Sequence, residues 1–320
     1  MLQYLIILLD DTSTSYCHYE NLRKKNNLIP LDALKAGIRF GMVENLMIQF
    51  VYPDYELPQE YKDAIEAIDH SKIVSSQCED ASLKEEADVI VCHNWADMKC
   101  DEIRPDKSFV LRTTKADLIE KHMFLKDILS KMARLNIVIT DVEKFTDEDI
   151  EKYKEVLHTL AEHIETLYAD GKSPQLNLLT DRMMLKEMNN CGAGDTNITL
   201  APNGKFYVCP AFYYDDGADC IGDLEHGLDI KNKQLYKLQY APICRHCDAW
   251  QCKRCIWLNR KTTLEVNTPS HEQCVVAHLE RNASRLLQQK LEEKGIRLNP
   301  SYEIKEIDYL DPFIIVNKWK

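Results

Sequence analysis

Four cysteines fall within twelve residues in the last third of the chain, as Cys244-x2-Cys247-x4-Cys252-x2-Cys255, and Cys191, Cys209, Cys220 and Cys274 flank them. Iron-sulfur clusters need thiolates wrapped closely about a compact inorganic core, and Cys-x2-Cys steps let neighbouring side chains reach adjacent irons. A zinc ribbon normally separates its two Cys-x2-Cys knuckles by a long spacer, so that both pairs close one tetrahedron. Here the spacer is four residues. The array points first to iron-sulfur clusters. Zinc is the alternative, in one cramped site or with each knuckle serving a different metal. Arg245, His246, Lys253 and Arg254 stand between the cysteines, either as ordinary surface charges or as an offset to the negative charge of bound thiolates.

The remaining cysteines are scattered: Cys17, Cys78, Cys92 and Cys100 all precede residue 190. Cys17-His18 and Cys92-His93 each follow an expected strand, on the face where a β/α barrel builds its sites. Two-residue pairs of this kind are either a metal or thiol site or packed loop residues. A glycine-rich phosphate loop, a nucleophile elbow, a paired-histidine zinc motif and a kinase signature are all missing from the sequence. With 52 acidic against 40 basic residues the net charge is -12, which argues against a nucleic-acid surface. The opening MLQYLIILLDD has no basic flank and no small-residue cleavage site, so it reads as a buried strand rather than a signal peptide. No apolar run reaches membrane-spanning length. Twelve cysteines in such a chain suit metal ligands or reactive thiols in a reducing cytoplasm better than disulfides.

Elements must position these thiols. Apolar runs near Leu5–Leu9, Met47–Tyr52, Ile73–Val74, Val89–Cys92, Phe109–Leu111, Leu135–Thr140 and Leu176–Leu179 alternate with helical patterns, the signature of parallel strands joined by crossover helices. The clearest helix begins at Thr146, with Asp149 completing a capping box, and puts Ile150, Tyr153, Val156, Leu157, Leu160, Ile164 and Leu167 on one face before Asp170-Gly171. Another spans 31–45. About six such units fit either a partial β/α barrel or an open doubly wound sheet. Past Cys191, Ile198–Leu200 and Lys205–Cys209 flank the turn Ala-Pro-Asn-Gly and read as a hairpin that delivers Cys209. Little regular structure is expected between Cys244 and Cys255, and 275–294 reads as a helix. The expected organisation is a body of residues 1–185, a cysteine-rich domain of 186–294, and a tail of 295–320 that packs back on the body.

The pattern of seven cysteines, Cys191, Cys209, Cys244, Cys247, Cys252, Cys255 and Cys274, resembles the SPASM domain, the auxiliary-cluster domain of radical S-adenosylmethionine peptide-modifying enzymes. The middle array of that family has slightly wider steps, five and three residues where this chain has four and two. The resemblance implies two interleaved 4Fe-4S clusters: an inner one on Cys191, Cys209 and Cys255, and an outer one on Cys244, Cys247, Cys252 and Cys274. Cys220 is the candidate for the missing fourth inner ligand, with a buried thiol as its other reading. Radical S-adenosylmethionine enzymes also carry Cys-x3-Cys-x2-Cys after the first barrel strand, where this chain offers only Cys17. One thiolate does not hold that cluster, so productive S-adenosylmethionine binding is not expected.

Together with the stretches LLDDTSTSYCHYEN and IQFVYPDYELP, the whole chain is similar to the CXXX repeat peptide maturase family. That resemblance implies a degenerate radical-SAM-like partial (β/α)6 barrel fused to a SPASM-like domain. It further implies a cytoplasmic companion subunit of a catalytic radical S-adenosylmethionine enzyme, acting on a CXXX-repeat precursor peptide to form sulfur-to-carbon crosslinks. Within the pair, the clusters would relay electrons or bind a substrate thiolate. The rivals are a stand-alone metal-dependent enzyme and a zinc-bound scaffold that binds leader peptide.

Overall fold

The computed structural model describes residues 2–185, 190–215, 219–250, 252 and 255–297. Strands run in the order β1 (Tyr4–Leu8), β2 (Met47–Val51), β3 (His70–Ser75), β4 (Val89–Cys92), β5 (Ser108–Thr113), β6 (Arg134–Ile139), β7 (Gln175–Leu176), β8 (Asn197–Leu200) and β9 (Phe206–Tyr207). Helices are α1 (Leu31–Val43), α2 (Gln59–Glu66), α3 (Ala81–Glu86), α4 (Lys115–Lys121), α5 (Leu125–Ile128), α6 (Asp147–Ala169), α7 (Asp181–Met184), α8 (Pro210–Asp215), α9 (Ile256–Thr263) and α10 (His271–Glu293). The chain divides into two compact units, Met1–Thr113 with Gly192–Lys237, and Thr114–Cys191 with Leu238–Lys320.

In the first unit β1 lies between β2 and β8 and is parallel to both, while β2, β3, β4 and β5 follow in parallel steps. Strand β9 runs antiparallel to β8, as the second arm of a hairpin. Leu5, Ile7 and Leu8 are fully buried because a parallel strand between crossover helices has two covered faces. Helix α1 buries Leu34, Gly37, Ile38 and Gly41, one stripe at helical spacing. At Gly41 an added Cβ would stand 2.7 Å from Ile48 Cδ1, so glycine is what lets the helix seat this closely on the sheet.

The second unit is organised by two long helices. Helix α6 starts from a complete capping box, Thr146 with Asp149, and Gly171 turns the chain away in the left-handed region just past its end. Its buried face runs from Tyr153 through Val156, Leu157, Leu160 and Ile164 to Leu167 and Tyr168; Ile150 is half-buried. Helix α10 begins four residues before the expected 275, because Ser270 and Gln273 form a second capping box. Beside α6 it buries Val276, Ala277, Leu287 and Leu291 together with Glu280, Arg281 and Ser284. Lys294 reaches Glu165 of α6 at 2.6 Å. The expected packing of the 295–320 tail falls, from residue 298 onward, outside the described residues.

Candidate metal centre

The second unit carries Cys244, Cys247, Cys252, Cys255 and Cys274 in two adjoining structures. A short 3-10 turn over Cys244–His246 folds the chain so that Cys247 N–H donates to the Cys244 carbonyl at 3.1 Å. Ala249 N–H then donates to Cys247 Sγ at 3.4 Å, and Cys252 N–H to the Ala249 carbonyl at 3.0 Å. These local bonds curl the loop around its own sulfur atoms. Cys255 immediately precedes the first turn of α9, and Cys274 sits in the first turn of α10. Gln273 Nε2 bonds Asn259 Oδ1 at 3.3 Å, which ties the two helix starts together.

Burial and neighbouring charges shift two of these thiols. Desolvation first, then the neighbouring Cys244, Cys274 and Cys247, push the Cys252 thiol far above its ordinary range, and the Arg182 guanidinium partly opposes them. Cys247 is pushed up to about 11, chiefly by desolvation and with further contributions from Asp248 and Cys244; the Ala249 N–H and Arg281 act the other way. Cys244, Cys247, Cys252, Cys255 and Cys274 all belong to the second unit. A thiol raised by burial is not by itself a ligand; what sets Cys247 apart is its closely spaced neighbours in the sequence, since thiolates at Cys-x2-Cys spacing suit a thiophilic metal group.

Helix α10 adds more than Cys274. His278, one turn further along, places Nε2 3.5 Å from Cys247 Sγ. Among the described residues, Cys247, Asp248 and His278 bring one ligand atom each within 4.8 Å of one another. Asp248, 4% exposed, is also held by a short ion pair from Arg281 Nη1. Arg182 is fully buried, and its Nη2 meets Glu280 Oε2 at 2.7 Å, while Tyr153 donates its hydroxyl to Glu280 Oε1 at 2.8 Å.

The other sequence-predicted cysteines lie elsewhere. Cys191 is exposed and belongs to the second unit. Cys209, half-buried after β9, and the exposed Cys220 belong to the first. Among the described residues no two cysteines are joined in a disulfide. Cys92 ends β4 with its thiol raised to about 12 by burial, and Cys78 is likewise buried and raised, so both behave as core thiols. Lys253 and Arg254 lie outside the described residues.

In the loop after β1, which holds Cys17, polar side chains that the sequence reading passed over fix the backbone. Fully buried Asp10 accepts from Thr12 N–H, Asn27 N–H and the Tyr55 hydroxyl. Arg112 donates to the Cys17 carbonyl at 3.0 Å and the Tyr19 carbonyl at 2.7 Å, and its Nη1 lies 3.3 Å from His93 Nδ1. His93 Nε2 in turn meets Thr14 Oγ1 at 2.8 Å, and burial beside Arg112 holds the imidazole below its ordinary range. Arg23 pairs with Asp11 at 2.9 Å and stacks over Tyr213 at 4.1 Å. Arg112 had a signal in the sequence: it follows directly on the apolar stretch Phe109–Leu111 within one strand, where a buried charge needs a partner.

No family model and no curated protein matches the chain. Its parallel strands, crossover helices and terminal hairpin nevertheless define a known class, the radical-SAM-like α/β fold, shared with solved structures. A polyhistidine-tagged anSMEcpe with bound AdoMet superposes with a TM-score of 0.60 at 11% identity, over 92% of this chain and 100% of that one. Native anSMEcpe with bound AdoMet and Kp18Cys peptide gives 0.61 at 11% identity, over 91% and 99%. Streptococcus suis SuiB bound to precursor peptide SuiA aligns at 0.47 and 12% identity, over 85% and 76%. Among the described residues no helix is long and apolar enough to cross a membrane.

Proposed function

We propose that this chain is an iron-sulfur companion of a radical S-adenosylmethionine peptide-modifying enzyme, working in the cytoplasm on a CXXX-repeat precursor peptide. The observation that carries the reading is that one compact unit carries Cys244, Cys247, Cys252, Cys255 and Cys274, in a chain whose fold is shared with anSMEcpe, a protein solved with bound AdoMet. One of those structures also holds a cysteine-containing peptide by name, which favours a peptide substrate here. The role of companion rather than radical generator rests on the loop after β1, where Cys17 is the single cysteine and the backbone is already fixed by Asp10 and Arg112.

In this reading Cys244, Cys247, Cys252 and Cys274 would hold a 4Fe-4S cluster, which would supply one-electron chemistry. The chain's own residues do the rest: the Ala249 N–H polarises the Cys247 sulfur, His278 packs against it, and α10 anchors Cys274. The inner set of Cys191, Cys209 and Cys255, with Cys220 as candidate fourth ligand, is the corresponding expectation for a second cluster that captures a substrate thiolate. A zinc reading draws on one specific observation, the approach of Cys247, Asp248 and His278, a mixed donor set that suits a borderline metal. Against it, one oxygen of the Asp248 carboxylate, Oδ2, is paired with Arg281.

Anaerobic purification followed by assay of iron, acid-labile sulfide and zinc separates these readings. About four irons and four sulfides per occupied site are expected, and Cys244→Ser with Cys252→Ser should remove one site's worth. Stoichiometric zinc without sulfide refutes the cluster reading. Turnover of a CXXX peptide by this chain alone refutes the companion role; turnover only on mixing with a radical S-adenosylmethionine subunit supports it.

A further inference from the structure

Five tyrosines of the first unit form one continuous chain of ring contacts, and metal chemistry in the second unit gives them no task. Tyr16 and Tyr19 come from the loop after β1, Tyr207 from β9, and Tyr213 and Tyr214 from α8. The ring centroids of Tyr16 and Tyr19 lie 6.1 Å apart, and Tyr19 stacks on Tyr214 at 5.5 Å with 17° between the planes. Tyr214 then meets Tyr213 at 5.2 Å, and Tyr213 meets Tyr207 at 5.2 Å. All four separations are those of aromatic rings in contact. Packing alone does not ask for phenols here. The hydroxyls of Tyr19 and Tyr214 are both buried and have no hydrogen-bond partner among the described residues. A dry hydroxyl costs stability, and phenylalanine would fill the same space without that cost. What tyrosine adds is a ring that can give up an electron together with a proton.

Unlike Tyr19 and Tyr214, Tyr213 has a proton acceptor in place. Its hydroxyl donates to Asp11 Oδ1, and that carboxylate is fixed by Arg23 Nη1 at 2.9 Å and Asn27 Nδ2 at 3.2 Å. A phenol that loses an electron becomes strongly acidic, so it settles as a neutral radical where a base stands within hydrogen-bond reach. The Arg23 guanidinium lies 4.1 Å from the centroid of the Tyr213 ring and repels a positive charge on it, which ties loss of the electron to loss of the proton. We propose that this cluster is a one-electron relay, in which Tyr16, Tyr19 and Tyr214 pass an oxidising equivalent to Tyr213, where it rests as a neutral tyrosyl radical. The oxidant is a metal- or sulfur-centred radical species of higher potential than a phenol, met at the half-buried Tyr16. One electron leaves Tyr213 for that oxidant, the phenol O–H bond breaks, its proton moves to Asp11, and reduction of the radical reverses both transfers. The relay does not depend on which metal the second unit holds.

The test oxidises the full chain with photogenerated ruthenium(III) tris(bipyridine) and follows it by transient absorption and electron paramagnetic resonance. A tyrosyl signal that outlasts that of free tyrosine in the same buffer is expected, and it should form more slowly in heavy water. Tyr213→Phe should lose the long-lived signal. Asp11→Asn should lose both the signal and the isotope effect, and Asp11→Glu should recover them in part. Tyr213→Phe leaves the Asp11–Arg23 pair in place, so it carries the test if the Asp11 variants do not fold by circular dichroism. Tyr19→Phe separates conduction from packing: it removes an unpartnered hydroxyl, so the thermal midpoint should hold or rise, while the Tyr213 radical forms more slowly. The same long-lived signal in Tyr213→Phe, or a wild-type signal no longer-lived than that of free tyrosine, overturns the inference. Formation at the wild-type rate in a folded Tyr19→Phe overturns the relay.

Discussion

Replacing Glu280 by alanine tests the interior of the second unit most directly. Glu280 is 5% exposed, its partner Arg182 is fully buried, and the two meet at 2.7 Å. Removing one partner of such a pair leaves an uncompensated charge and costs about 3–5 kcal/mol. Tyr153, also fully buried, loses the acceptor of its 2.8 Å hydrogen bond, which adds about 1 kcal/mol. The sum, about 4–6 kcal/mol, is a large part of the ~5–15 kcal/mol that holds a domain together. With a urea m-value of about 2 kcal/mol/M, the unfolding midpoint should fall by about 2 M or more. Urea titration followed by far-UV circular dichroism measures this. Arg182→Met with Glu280→Leu, an apolar replacement of both partners, should recover most of the loss. A midpoint shift below about 0.5 M in Glu280→Ala would mean that the pair is solvated and that the charge argument is wrong.

Three further outcomes follow from the geometry. Gly41→Ala gains about 1 kcal/mol of helix propensity but forces a Cβ to 2.7 Å from Ile48 Cδ1, an overpacking cost of about 1–3 kcal/mol, so a net lower thermal midpoint is expected and a higher one refutes the close seating of α1. Asp149 is held down at about 2, first by Lys115 and then by the Thr146 backbone N–H; a carboxyl with a depressed folded pKa stabilises above its unfolded value near ~3.9, and that contribution is lost as pH falls toward 2. With the side chain about a fifth exposed the screened contribution is about 1 kcal/mol, and Asp149→Asn should lower stability at neutral pH and flatten its fall between about pH 4 and 2. Arg112→Lys loses the fork that holds the Cys17 and Tyr19 carbonyls, so limited proteolysis should cut between residues 10 and 30 faster than in the wild type; equal rates would show that the loop does not depend on it.

Much of the scaffold was written in local signals. The run Val89–Cys92 is β4 residue for residue, and the Thr146–Asp149 box starts α6 where its spacing says it should. The hairpin around Ala-Pro-Asn-Gly forms between β8 and β9. Helices α2, α3 and α9 were not read: each is at most eight residues long, too short for an apolar stripe to repeat. The cysteines declare themselves by spacing alone, but their surroundings do not. Arg182 and Glu280 lie 98 positions apart, and nothing local to Arg182 announces a buried ion pair. Asp10 looks like one of two surface aspartates after an apolar run, yet it is fully buried, because its partners, Asn27 and Tyr55, come from later loops.

The place of β1 between β2 and β8 has a consequence during synthesis. Its β2 neighbour is complete once Val51 has been made, but its other neighbour ends at Leu200. At the usual ~5–20 residues per second, about 150 residues of further translation leave one side of β1 without its partner for roughly 7–30 s. That exposed edge is among the most apolar in the chain, a ready template for pairing with another nascent copy. Yield on overexpression should therefore track temperature and ribosome-associated chaperones more closely than the stability of the finished protein.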